Sequence, residues 1–196
     1  MTLNEIPVVL ASGSPRRREL LQKEGVEPYI IRPGCSEDIC GTLRPERLVM
    51  SLAARKGLCG VEMLKEDPPF DDYLLLASDT VVAFGDEILE KPEDEEDAFR
   101  MLKIMNGKVN TVYSGVFMYR RSDGRKLCFY DATDVYFKEY SDRDIWDYIA
   151  TGEPMDKAGA YAIQGGFAKY VERTEGDMNC VIGFPLKKIK EMLADF

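Results

Sequence analysis

The sequence predicts an α/β fold, a mixed twisted sheet flanked by helices. Three observations carry this. Short apolar, strand-like runs alternate with amphipathic stretches through the first half of the chain. Two turn signals, Gly85-Asp86 and Asp123-Gly124, each join a pair of strand-like runs, which adds hairpins to that alternation. The 196 residues are 45% apolar and 31% charged, enough for one ordinary core, and contain no repeat, linker or low-complexity stretch. One domain over residues 1–196 is therefore expected.

The elements follow in order. Pro7-Val8-Val9-Leu10-Ala11 is the first strand. Ser14 stands where a helix N-cap belongs, Pro15 in its first turn, and Gly25 where the helix stops. "EPYIIRPG" reads as a second strand ending at Pro33-Gly34. "PERLVMSLAARKGLCGVEMLK" has helical apolar spacing at Leu48, Leu52 and Ala53. "DYLLLASDTVVAFGDEILEKP" reads as a long strand, a tight turn and a short returning strand. "PEDEEDAFRMLKIMNG" is a helix with Pro92 at its start, acids in its first turns and Gly107 as its stop. Its Ala98, Met101, Leu102 and Met105 share one face. "NTVYSGVFMYRR" and "KLCFYDATDVYFKEY" are strands on either side of Asp123-Gly124. "SDRDIWDYIATG" opens with Ser141-x-x-Asp144, a capping-box pattern. "PLKKIKEMLADF" is a terminal helix whose basic face reads as solvated rather than as membrane-bound.

Composition excludes several functions. A net charge of −9 argues against a general nucleic-acid binder. No basic segment followed by an apolar run marks a signal peptide, and no apolar run approaches the ~20 residues that span a bilayer. The five cysteines are scattered, none forms Cys-x-x-Cys, and histidine is absent, so a zinc site is not expected. Reduced thiols and a cytoplasmic location are the expectation.

Two stretches break ordinary rules. Arg16, Arg17 and Arg18 fill the first turn of a helix, where partial positive charge makes cations unfavourable. A solvated or salt-bridged basic turn would account for them. So would a polyphosphate at the helix start, since free amides and arginine forks both bind phosphate oxygens. Successive helical residues diverge by about 100°, so only two of the three can reach one ligand; Arg16 and Arg17 are the pair expected, leaving Arg18 in solvent. Asp79 is the second anomaly, a carboxylate inside "YLLLASDTVVAF". It either caps a loop at a strand end or acts as a magnesium ligand or general base. Read alone, Glu37, Lys56 and Lys91 look like surface residues. The loop "GEPMDKAGAYAIQG" is either an ordered connector or a pocket wall, with Asp156, Lys157, Tyr161 and Gln164 facing a ligand. Gly159, Gly165 and Gly166 would permit unusual backbone angles there.

Taken together, "LASGSPRRRELL", "SDTVV", "EILEKPEDEEDAFRMLKIMNGK", "GEPMDKAGAYAIQG" and "VIGFPL" resemble, in order and separation, the Maf family of septum-formation-inhibitor-like nucleotide pyrophosphatases. The resemblance implies two lobes about a central cleft, similar to the inosine-triphosphate pyrophosphatases. It implies hydrolysis of a nucleoside triphosphate to the monophosphate and pyrophosphate, dependent on Mg²⁺, with Mn²⁺ as the alternative ion. It places Ser12, Arg16, Arg17, Glu37, Lys56, Asp79 and Lys91 at active-site positions. Asp79 and Glu37 are the implied metal ligands; Asp79, Lys56, Lys91 and Arg17 are the implied catalytic residues. Arg16, Thr80, Asp156 and Gln164 resemble the subtype that prefers dTTP and UTP, with Gln164 matching a pyrimidine edge. The alternatives are a pyrophosphatase for 7-methyl-GTP or other modified nucleotides, and a nucleotide-binding cell-division regulator with little catalysis. A homodimer is the expected assembly, because dimers occur in the family. The chain departs from the family pattern at Ser36, before Glu37, and at Asn110 and Phe167, two changes expected to reshape the pocket rim.

Overall fold

The computed structural model describes residues 1–35 and 43–196. Chain order is β1 (Val8–Ala11), α1 (Pro15–Lys23), β2 (Tyr29–Ile31), α2 (Pro45–Met63), β3 (Leu74–Phe84), β4 (Glu87–Leu89), α3 (Glu95–Met105), β5 (Val109–Arg120), β6 (Lys126–Phe137), α4 (Asp142–Ile149), β7 (Val171–Glu175), α5 (Met178–Ile182) and α6 (Leu186–Ala194). Seven strands form one mixed sheet in the order β2-β1-β3-β5-β6-β7, with β4 paired to β3. β1 runs parallel to β2 and β3; the later pairings are antiparallel. Both hairpin turns fall where expected, with Gly85 and Gly124 at positive φ.

The long strand β3 passes through two core regions. In its first half, side chains alternate between faces. Leu74 and Leu76 pack with Leu10, Leu21, Phe184 and Ile189 under α1 and α6. Leu75 and Ala77 face the other way, against Val9, Ala53 and Phe117 beneath α2. In its second half, Val82 joins Leu89, Leu102, Met105, Ile145 and Phe167 in a core roofed by α3 and α4. Asp79 and Thr80 lie between these halves, so the polar break in the strand falls between the lobes.

α2 lies closer to the sheet than its apolar spacing suggests. Its buried stripe is Val49, Ala53, Gly57 and Gly60, not Leu48 and Leu52. A Cβ on Gly57 would sit 2.0 Å from the Phe117 ring, and one on Gly115 of β5 would sit 2.3 Å from the Val49 carbonyl. Each glycine makes room for the opposing element, and filling either space costs about 1–3 kcal/mol or displaces the helix.

Helix ends also refine the expectations. α1 stops in a Schellman motif: Gly25 adopts φ +79°, its amide reaches the Gln22 carbonyl at 2.9 Å, and the Val26 amide reaches Leu21 at 3.0 Å. α3 begins at Glu95, three residues after Pro92, because Asp94 caps it by accepting the Asp97 amide at 2.8 Å. Ser141 and Asp144 form the expected capping box on α4. In the loop after α4 only Gly159 of the three glycines has positive φ. Gly165 and Gly166 instead receive the Glu153 carboxylate, which accepts the Gly166 amide at 2.8 Å.

Candidate active site

A cleft of about 470 Å³ opens where the two core regions meet, within the usual size range of small-ligand sites. The turn between β1 and α1 forms one wall. Ser12 is buried, and its hydroxyl accepts the Ser14 amide at 3.2 Å and Arg17 Nη1 at 3.0 Å. Ser14 occupies the N-cap position of α1 but gives the helix no side-chain hydrogen bond. The hydroxyl that acts at this helix start is instead that of Ser12, two residues earlier, which holds the N-cap amide rather than a helix amide and is shared with an arginine.

Arg17 is anchored at a second point. Its Nε donates to the Gly183 carbonyl at 2.9 Å, and the buried Ser78 hydroxyl contacts the same carbonyl at 3.0 Å. Gly183 holds φ +105°, and a Cβ there would lie 2.9 Å from Thr80 Oγ1. Thr80 meets Ser114 at 2.8 Å, and Ser114 donates its only proton to the Cys180 carbonyl at 2.7 Å. The Thr80 hydroxyl is therefore the donor to Ser114. Burial pushes the Cys180 thiol beneath this chain up to about 12.

Asp79 lies across from this wall. Its Oδ2 accepts from Lys56 Nζ at 2.6 Å, with the two side chains only 15% and 20% exposed, and its Oδ1 accepts the Thr80 amide at 2.7 Å. Asp79 shares a strand face with Leu75 and Ala77, so it points toward α2, which carries Lys56. A half-buried pair of this kind resists loss of either partner more than a surface pair does.

The third wall is the loop after α4. Two 3₁₀ turns, Glu153–Asp156 and Ala158–Ala160, present Asp156 and Lys157 to the cleft. The hydrogen bond from Lys157 holds the Asp156 carboxyl below its usual range; burial opposes this, and the charges of Lys157 and Arg16 reinforce it. The Gly159 amide donates to the Glu90 carbonyl at 3.0 Å, and a Cβ on Gly159 would sit 2.9 Å from Val82. This docks the loop onto the β3–β4 hairpin. Lys91 follows Glu90 and stands exposed at the rim.

Ser12, Arg16, Arg17, Lys56, Asp79, Thr80, Lys91, Asp156 and Gln164 all line this one cleft. Glu37 lies outside the described residues. Arg18 turns away and pairs with Glu27 at 2.6 Å on the surface. Two expectations are corrected. Asn110 is buried and accepts the Tyr161 hydroxyl at 3.0 Å, and Phe167 sits among Phe137, Tyr140, Tyr148 and Tyr170. Both belong to the core beneath α4 rather than to the rim. Ser78, Ser114, Glu90 and Gly183 were not expected at the site. The hydroxyls inside otherwise apolar strands were the available signal.

Among the described lining residues, five cations (Arg16, Arg17, Lys56, Lys91 and Lys157) face three carboxylates (Asp79, Glu90 and Asp156). A chain of net charge −9 thus concentrates positive charge in its cleft. That arrangement suits a polyanion held near a single embedded carboxylate. Among the described residues no three His, Cys, Asp or Glu side chains converge, and no helix is long and apolar enough to cross a membrane.

Several known proteins are similar to this chain over nearly its whole length. A protein of Agathobacter rectalis named dTTP/UTP pyrophosphatase is 41% identical over 196 aligned residues, covering 95% of both chains. Proteins of the same name from Caldicellulosiruptor saccharolyticus, 44% identical, and Bdellovibrio bacteriovorus, 38% identical, align over 95% and 96% of this chain and 92% and 98% of their own. Residues 7–196 match the family described as Maf-like protein, and with that match over nearly its whole length the chain belongs to the Maf family.

Proposed function

We propose that this protein hydrolyses dTTP and UTP to the monophosphate and pyrophosphate, by attack of water at the α-phosphorus. The observation that carries the reading is Asp79, held at 2.6 Å by Lys56 in a cleft otherwise dominated by cations. In this reading Asp79 orients the attacking water and takes its proton. Arg17, fixed by Ser12 and Gly183, presents its guanidinium to phosphate oxygens. Lys56 and Lys91 neutralise charge that builds on the leaving pyrophosphate. Arg16 extends this clamp at the rim.

The donor set fits a hard divalent cation, Mg²⁺ or Mn²⁺. Such ions are commonly held by one or two carboxylates together with substrate phosphates, and Asp79 is an available carboxylate beside the proposed phosphate site. Glu37 is the second proposed ligand. Such an ion, when bound, adds positive charge at the phosphate oxygens and acidifies water. The base preference rests on Gln164, whose neutral amide can both donate to and accept from a thymine or uracil edge.

The test is pyrophosphate release across dTTP, UTP, CTP, GTP and 7-methyl-GTP with Mg²⁺ or Mn²⁺. dTTP and UTP should exceed the others, and equal rates would overturn the role given to Gln164. Asp79→Asn should lower kcat by about a thousandfold with an unchanged circular dichroism spectrum. Near-normal turnover in that variant would remove Asp79 from the mechanism.

A further inference from the structure

Gln164 lines the cleft from the tip of a turn that packs little of its own weight. The turn runs between two buried residues, Ala162 and Phe167, while Gln164 and Gly166 are exposed. Gly165 and Gly166 leave the backbone beside Gln164 with unusual conformational freedom. Backbone bonds close the turn only upon itself. The Gly165 amide donates to the Ala162 carbonyl at 3.0 Å, and the Ala168 amide to the Gly165 carbonyl at 3.0 Å.

Two side chains from outside the turn fasten its ends. The Tyr148 hydroxyl, on α4, accepts the Ala162 amide at 3.1 Å. The Glu153 carboxylate accepts the Gly166 amide at 2.8 Å, a bond strengthened by its charge. The fit is close: a Cβ on Gly165 would sit 2.0 Å from Glu153 Oε1, and one on Gly166 would sit 3.5 Å from the Tyr148 ring. Glu153 is held in turn. Its amide donates to Thr151 Oγ1 at 3.2 Å, and that hydroxyl donates to the Tyr148 carbonyl at 2.6 Å. Glu153 and Tyr148 thus form one block at the end of α4, and Gln164 stands between its two arms. Glu153 is not among the described residues that line the cleft, so its influence on a substrate passes through the turn.

This block supplies something the glutamine alone lacks. A neutral amide presents an acceptor and a donor side by side. In one orientation it matches the N3–H and O4 of thymine or uracil. Rotated by half a turn, it matches the N3 and the amino group of cytosine equally well. An amide free to turn therefore accepts both kinds of pyrimidine. We propose that Glu153 is a positioning residue that sets the base preference. By clamping the Gly165-Gly166 tip it fixes the backbone that carries Gln164, and it limits the directions from which that amide meets a base. The inference rests on the proposed hydrolysis of dTTP and UTP and on the role given there to Gln164.

The test measures kcat and KM for dTTP and CTP, together with hydrogen exchange of the amides of residues 162–168. Glu153→Ala should lower the dTTP-to-CTP ratio of kcat/KM about tenfold, chiefly through KM, with kcat for dTTP within about threefold. Gly165→Ala, whose methyl displaces the carboxylate, should do the same. Glu153→Gln keeps an oxygen for the Gly166 amide and should retain most of the ratio. Adding Glu153→Ala to Gln164→Ala should change the ratio no further, because the first acts through the second. An unchanged ratio in Glu153→Ala, or additive effects in the double variant, would overturn the proposal. If the native protein hydrolyses dTTP and CTP equally, or neither, the proposed function fails before any variant is made. Exchange then decides the clamp by itself: faster exchange at residues 162–168 in Glu153→Ala upholds it, and unchanged exchange overturns it.

Discussion

α1 and α3 begin by opposite electrostatic rules. α3 opens with Glu95, Glu96 and Asp97 behind an Asp94 side chain that caps it. These acids face the positive end of the helix, and the cap satisfies one orphan amide. α1 opens with Arg16, Arg17 and Arg18, no acid, and an N-cap residue whose side chain does not cap. α3 roofs a core and needs only to be stable. The start of α1 forms a wall of the cleft, where an anion would supply the missing charge. The difference teaches that a helix start violating several local rules together is a better pointer to a site than any single residue in it.

Arg17→Ala is the strongest way to break this comparison. Arg17 is held in the cleft by Ser12 and Gly183, so its loss should lower kcat/KM for dTTP by about 10²–10³. Its removal takes a cation from the wrong end of a helix but also two part-buried hydrogen bonds, to Ser12 and Gly183, so Tm should fall by only a few degrees while activity collapses. A variant that unfolds more readily while its activity stays within threefold would mean that the arginines serve stability after all. Asp94→Ala is the converse. It should lose about 1 kcal/mol of stability, a Tm shift of roughly 2–4 °C at this size, with kcat/KM unchanged.

How far each region was legible follows from where its determinants lie. α3, the β3–β4 turn and the β5–β6 hairpin announce themselves through local periodicity and turn residues. α2 was placed correctly but turned by one position, because Gly57 and Gly60 face the sheet. Only the opposing Phe117 and Ile31 explain why small residues belong there. Arg16, Arg17 and Asp79 were visible as violations of local rules. Lys56 was visible only through the family resemblance, since a lone helical lysine carries no signal until the fold brings it to Asp79. The Gly183 carbonyl that orients Arg17 lies 166 residues away in the chain, beyond any local pattern.

α4 sharpens the comparison through pH. Its capping box draws the Asp144 carboxyl down from 3.8 to about 2, chiefly through the Ser141 hydrogen bond. A carboxyl depressed in the folded state stabilises above its unfolded value and loses that contribution as pH falls through the folded one. The Tm gap between the native protein and Asp144→Asn should therefore be steady from pH 7 to about 4 and close toward pH 2. A gap that ignores pH over that range would show that the charge of Asp144 contributes nothing to the cap.

Arg18 offers the smallest and most discriminating test, because it shares the helix turn and the charge of Arg17 but not its direction. Its guanidinium pairs with Glu27 at 2.6 Å, and both side chains are more than half exposed. Exposed pairs contribute little and weaken with salt. Loss of the pair opposes relief of a cation at the helix start, so Arg18→Ala should leave Tm within about a degree. kcat/KM for dTTP should stay within twofold at low and high ionic strength alike. If Arg18→Ala instead lost activity on the scale expected for Arg17→Ala, charge density at the start of α1, rather than the placement of one guanidinium, would govern binding. The anchoring of Arg17 by Gly183 and Ser12 would then be incidental, and a lysine at position 17 would serve as well. The fork geometry of arginine predicts the reverse: Arg17→Lys keeps the charge and loses most of the rate, while Arg18→Ala loses the charge and keeps it.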